Sequence, residues 1–151
     1  MKIVSACLAG INCNYKNEAK PSQKVIELVK QGKAIPVCPE QLGGLTTPRT
    51  PAEQKDNKVF TKDGEDVTFQ FEKGAKEALK IAKLANCDEA ILKSKSPSCG
   101  SGKIYDGTFS GKLIDGDGVF VKILKKNNIK VLTEDEIFAS VRPRKGINRA
   151  N

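Results

Sequence analysis

The sequence predicts an α/β fold with a mainly parallel sheet and helices on both faces. Three observations carry this. Short apolar runs of strand length alternate with longer segments whose apolar residues recur at helical spacing, the pattern that builds parallel sheets from strand–helix–strand units. The runs are bounded by glycine, proline and polar residues. And 151 residues suffice for one hydrophobic core but not comfortably for two.

In chain order, residues 2–6 form the first strand candidate. Ser22 is placed to cap a helix with Val25, Leu28 and Val29 on one face and Gly32 as its stop. Residues 34–37 read as a second strand. The run KVFTKDGEDVT (58–68) predicts a hairpin turning at Asp63-Gly64. Over 69–85, Phe71, Ala75, Ala78, Leu79 and Ala82 draw a helical stripe. Residues 89–93 are a third strand, 118–126 a helix and 129–132 a fourth strand. A last helix starts near Thr133, whose hydroxyl precedes the acidic first turn Glu134, Asp135, Glu136. With right-handed crossovers, these elements give a single-domain, Rossmann-like three-layer sandwich of about four to five strands. It spans residues 1–138, followed by a basic tail, 139–151.

Composition narrows the chemistry. No apolar run approaches the roughly 20 residues of a membrane span, and the start MKIVSACLAG lacks the features of a secretory signal, so a soluble, cytoplasmic protein is expected. Five cysteines, an odd number, then need a reason other than disulfides. Histidine is absent, which removes Ser-His-Asp and Cys-His nucleophile pairs and every His-ligated metal site. The net charge of +8 comes mostly from lysine, with three of four arginines in the tail RPRKGINR (142–149). With aromatics at 5%, few side chains can stack on bases, so RNA binding is not favoured.

The cysteines align with the predicted sheet. Ligands of such sheets gather beyond the carboxyl ends of the strands. Cys7 follows the first strand, Cys38 ends the second and Cys99 lies in the loop after the third, whereas Cys87 precedes its strand at the opposite rim. In the stretch IPVCPEQLGGLTTPRTPAEQ (35–54), Pro39 stiffens the link between Cys38 and Glu40, and Gly43-Gly44 permits close approach. Long irregular loops in compact domains are disproportionately functional. The stretch LKSKSPSCGSGKI (92–104) resembles a phosphate loop but fails its pattern at Pro97 and Ile104. Of its hydroxyls, Ser98 is the candidate retained, and residues 100–117 read as a glycine-rich flap over the same rim. Three thiolates at one rim suit either zinc or an iron–sulfur cluster with an open position; Cys13, as a fourth ligand, would close it.

Five pieces resemble the thiouracil desulfurase family: VSACLAG (4–10), PVCPEQLGGLTTPRTPAE (36–53), KDGEDVT (62–68), LKSKSPSCG (92–100) and the glycine-led helix followed by IKVLTEDE, together covering residues 1 to about 138. The resemblance implies an oxygen-sensitive 4Fe–4S cluster held by Cys7, Cys38 and Cys99, with Glu40 and Ser98 assisting catalysis. Gly43, Gly44 and Arg49 are then candidates for substrate contact. The implied activity removes sulfur from a thiolated pyrimidine base or nucleoside, such as 2-thiouracil, by addition–elimination. The chain departs from the family at NYKN (14–17), where an Arg-Tyr-Asp-Gly-like run is common. Many relatives lack a cysteine matching Cys13, which is therefore not taken as a ligand. The alternative reading is a non-catalytic zinc- or RNA-binding module using the same cysteines and the basic tail.

Overall fold

The four strand candidates pair into one parallel sheet. The computed structural model describes residues 1–140, so the RPRKGINR run and most of the expected tail lie outside the described residues. The elements run β1 (Lys2–Ser5), a 3-10 turn (Ala6–Ala9), α1 (Gln23–Lys30), β2 (Ala34–Val37), α2 (Pro39–Leu42), β3 (Ala52–Lys55) and β4 (Lys58–Thr61). They continue with α3 (Thr68–Leu84), β5 (Glu89–Leu92), β6 (Lys103–Tyr105), β7 (Leu113–Asp115), α4 (Val119–Lys126), β8 (Lys130–Thr133) and α5 (Glu134–Ser140). The sheet order is β2-β1-β5-β8, with every neighbouring pair parallel.

Alternation along the strands separates two cores. Ile3 on β1 and Ala90 and Leu92 on β5 face α3 and α4, meeting Ala78, Ala82, Phe120 and Leu124. Val4 and Ile91 point the other way, towards Val25 of α1 and Ile137 of α5. The result is three layers, with α3 and α4 on one face and α1 and α5 on the other. The chain leaves β1 for β2 on one side and later places β5 on the other side of β1. The crevice between β1 and β5 is thus where strand order reverses, the usual ligand position in such sheets.

Helix ends follow local chemistry. Thr133 and Glu136 form a reciprocal cap on α5: the Glu136 N–H donates to Thr133 Oγ1 (3.3 Å), and the Thr133 N–H donates to Glu136 Oε1 (3.2 Å). Ser22 does precede α1, but its side chain makes no capping hydrogen bond.

Three expectations need adjustment. The turn at Asp63-Gly64 is present, with Phe60 and Asp66 paired antiparallel across it and the Val67 N–H donating to the Val59 carbonyl (2.9 Å). A second hairpin, unforeseen, precedes it: β3 pairs with β4 around Asp56-Asn57, at φ +51° and +62°, the left-handed pair that a tight hairpin requires. The 35–54 stretch is also not wholly irregular, since Pro39 starts the one-turn helix α2 and residues 52–55 form β3. Segment 100–117 contains the antiparallel pair β6–β7, and its tip is tied to β3 by Glu53 Oε1, which accepts from the N–H groups of Gly107 and Phe109 (both 3.0 Å).

Candidate active site

Three strand ends bring the predicted residues to one rim. Cys7 sits in the 3-10 turn that leaves β1, a turn closed by Gly10 at φ +94°. Cys38 occupies the position just before α2, with Pro39 in the first turn, where its missing N–H costs nothing. Glu40 follows in that turn. Cys99 and Ser98 lie in the loop between β5 and β6, and both are buried.

The 97–100 loop is held from three directions. Ser96 Oγ accepts from the N–H groups of Cys99 (2.8 Å) and Ser98 (3.2 Å). The start of α4 docks on it, with the N–H groups of Gly118, Val119 and Phe120 donating to the carbonyls of Gly100 (2.7 Å), Pro97 (2.9 Å) and Ser98 (2.9 Å). A side chain at residue 118 would put its Cβ 2.3 Å from the Ser98 carbonyl oxygen, so only glycine permits this approach. From β3, the buried Gln54 donates through Nε2 to the carbonyls of Pro97 and Asp117 (3.0 Å each), while Lys122 donates to its Oε1 (3.2 Å). Sequence reasoning missed Gln54 and Gly118 as parts of the site, and it weighed the Ser96 hydroxyl but retained only Ser98. The polar run EQKDNK hides one inward residue, and only the alternation of a strand over 52–55 could have marked it.

Glu40 is the hub. Its Oε2 accepts from Ser98 Oγ (3.0 Å), and its Oε1 accepts from Arg49 Nε (3.2 Å). Ser98 Oγ also lies 3.5 Å from Cys99 Sγ and 3.3 Å from Ser96 Oγ. The predicted pair Glu40–Ser98 is therefore in direct contact across 58 residues of chain. Of the substrate candidates, Gly43 faces α3, where a Cβ would lie 1.9 Å from the Gln70 carbonyl oxygen, so helix packing accounts for it. Gly44 adopts φ +94° with open space around it. Arg49 has protein partners for four of its five side-chain N–H donors.

The thiols share one electrostatic field. Burial, and then the neighbouring Cys38 sulfur, push Cys7 up to about 11, against the pull of the Lys93 ammonium. Burial also pushes Cys99 up to about 12, although hydroxyl hydrogen bonds from Ser5 and Ser98 oppose it. Cys38 goes the other way, down to about 7, because a hydrogen bond from the Cys13 thiol stabilises its thiolate; Cys13 is raised by the same bond and by burial. The Cys38 thiol also lies 3.7 Å from the Cys13 carbonyl oxygen.

Among the described residues, no group of three His, Cys, Asp or Glu side chains is placed to hold a single metal ion. In an iron–sulfur cubane each cysteine ligates a different iron. Cys7, Cys38 and Cys99 are three soft donors on three separate loops, beside hydroxyl and thiol hydrogen-bond donors, and the chemistry of that donor set suits such a cluster. Two open clefts adjoin the rim: one of about 440 Å³ beside Cys38 includes Ile11, Leu42 and Ile81, and one of about 460 Å³ lies between Leu8, Lys20, Lys93 and Glu134. Among the described residues, no helix is long and apolar enough to cross a membrane.

The chain is similar to known proteins in sequence and in structure. A model of the family described as 2-thiouracil desulfurase matches residues 3–136. The chain is 46% identical over 147 residues to the uncharacterized protein YbbK of Bacillus subtilis, covering 91% of this chain and 97% of the relative. It is similar in structure to a 4Fe–4S-dependent thiouracil desulfidase, TudS, with a TM-score of 0.86 and 42% identity, covering 91% of this chain and 92% of the other.

Proposed function

The chain belongs to the 2-thiouracil desulfurase family, and from that premise we propose that it exchanges the thiocarbonyl sulfur of a thiolated pyrimidine base or nucleoside for oxygen, with a 4Fe–4S cluster as cofactor. The observation that carries the reading is the Glu40–Ser98 hydrogen bond beside the three cysteines. A carboxylate and a hydroxyl meet there, and Cys7, Cys38 and Cys99 lie close enough to them and to one another to share one electrostatic field, which supports the reading.

Cys7, Cys38 and Cys99 would hold the cluster. When bound, it would supply a Lewis-acidic iron, open to sulfur, that polarises the C=S bond. The protein's own part is proton handling and orientation. Glu40 takes a proton from water as the oxygen adds to the thiocarbonyl carbon. As the C–S bond breaks and the new C=O forms, Glu40 returns its proton to the departing sulfur, which leaves as hydrosulfide, and the proton of the added hydroxyl passes to solvent. The net change is water plus thiocarbonyl to carbonyl plus hydrosulfide and a proton, with no change in oxidation state. Ser98, donating to Glu40 Oε2 at 3.0 Å, keeps that oxygen directed into the site and offers its hydroxyl to water or to the substrate. The close α4 start over the 97–100 loop limits the freedom of Ser98, which helps to keep the reacting groups aligned.

The test is anaerobic reconstitution followed by iron and sulfide counting and an assay of hydrosulfide release from 2-thiouracil. Alanine at Cys7, Cys38 or Cys99 is expected to abolish cluster uptake, while Cys13→Ala and Cys87→Ala retain it. Glu40→Gln is expected to keep the cluster and lose about 10²- to 10⁴-fold in kcat, the span of a general base. Unchanged release in that variant would remove Glu40 from the chemistry.

A further inference from the structure

We infer that Arg49 is a positioning residue, one that fixes Glu40, beyond β2, against the loop that follows β1 instead of contacting substrate; the inference rests on the desulfurase reading above. Its guanidinium side chain is only 7% exposed, and a buried cation persists only where its donors are matched. Four of the five N–H donors have protein partners. Nε donates to Glu40 Oε1 (3.2 Å), Nη1 to the Thr46 carbonyl (3.1 Å) and Thr47 Oγ1 (2.9 Å), and Nη2 to the Cys13 carbonyl (2.9 Å). At most one is left for a ligand.

Those partners belong to different parts of the rim. The Cys13 carbonyl lies in the chain that follows β1, and the Arg49 backbone N–H reaches the same segment at the Tyr15 carbonyl (2.9 Å). Glu40 lies on α2, after β2. Thr47 Oγ1 is itself fixed by Gln41 Nε2 (2.8 Å), one residue beyond Glu40. A planar, forked cation is suited to this, since its donor directions are rigidly related, whereas an ammonium is a point charge on a flexible stem.

Glu40 gains a defined orientation. One oxygen is tied to Arg49, so the other is left to Ser98 and the reacting water. The carboxylate plane is thereby set by two contacts on opposite oxygens. Such preorganisation matters most in the transition state, because sub-ångström misplacement of a base costs rate without changing how substrate binds. The same cation satisfies the Cys13 carbonyl, the group within reach of the Cys38 thiol. Arg49 therefore joins the proton-handling residue to the ligand loop.

Arg49→Ala, loaded anaerobically and assayed on 2-thiouracil, is expected to take up iron as the unaltered chain does. It should lose about 10- to 100-fold in kcat, with KM within about threefold. In the cluster-free chain, amide exchange over residues 13–17 and 39–49 should rise at least about tenfold, with β1 and β5 unchanged. Arg49→Lys, which keeps the charge but not the fork, should lose kcat in the same way with smaller exchange changes, and it carries the test should the alanine variant not fold. A raised KM with kcat retained, or unchanged exchange in both segments, overturns the inference. Failure of the unaltered, loaded chain to release hydrosulfide would overturn the desulfurase reading instead, and the exchange result would still decide the role of Arg49.

Discussion

Cys38 differs from the other two ligand candidates in a way that chemistry can detect. Cys7 and Cys99 are held as neutral thiols by burial, whereas Cys38 accepts a hydrogen bond from Cys13 and is lowered to about 7. Its folded value lies below the ordinary thiol value of 9.0, so the thiolate fraction grows from pH 6 to 8, while the raised thiols stay protonated until well above pH 9.0. The thiolate is the reactive form. Limited alkylation of the cluster-free chain at pH 8 is therefore expected to label Cys38 first, with a rate that titrates around pH 7. Cys13→Ala should move that midpoint upward. Peptide mass spectrometry reads both, and faster labelling of Cys7 would show that the Cys13–Cys38 hydrogen bond does not govern the pair.

At the scale of elements, α2 and α3 set where Glu40 stands. The two helices meet at Gly43 and Gly74: a Cβ at Gly74 would lie 1.7 Å from the Pro39 carbonyl oxygen, and one at Gly43 1.9 Å from that of Gln70. Backbone cannot yield here as a flexible side chain would. Gly74→Ala is expected to cost about 3 kcal/mol, the upper range for overpacking, and to lower the thermal midpoint by roughly 6–12 °C. It should also reduce activity at temperatures where the chain remains folded, because α2 carries both Cys38 and Glu40 at its start. An unchanged midpoint in calorimetry would refute the close approach. The sequence showed α3 clearly, since its stripe from Phe71 to Ala82 repeats at helical spacing. It did not show this contact, because Gly74 inside a helix and Gly43 in a loop give no sign of facing each other. The β3–β4 hairpin went unseen for a related reason: Asp56-Asn57 is a good turn pair, but its partner strand 52–55, whose residues AEQK look solvent-facing, carries little strand signal.

For the whole molecule, the legible part was the sheet and the rim it creates. Strands of four residues with alternating or continuous apolar character fix which ends carry Cys7, Cys38 and Cys99, and the order β2-β1-β5-β8 places two of those ends around the switch point. What stayed hidden were contacts between loops, such as Arg49 to Cys13 and Gln54 to Pro97, which depend on tertiary approach and not on local pattern. The same division of labour predicts how the cofactor couples to folding. Small metal domains unfold without metal because the ligands hold together a chain with little core. Here the ligands stand on loops at one edge, while Ile3, Leu92, Phe120 and Leu124 on one face and Val4, Ile91 and Val25 on the other make up most of two cores, to which the ligand set adds only Cys99 on one side and Cys7 at the margin of the other. The cluster-free chain is therefore expected to keep its far-UV circular dichroism and a single cooperative unfolding transition. Loading with the cluster should raise the midpoint by several degrees, since a group bound only by the folded state shifts the equilibrium towards it. Faster amide exchange on cluster removal should be confined to the loops around Cys7, Cys38 and Cys99. A cluster-free chain that lacks a cooperative transition would mean that the rim, and not the two-sided core, holds the sheet together.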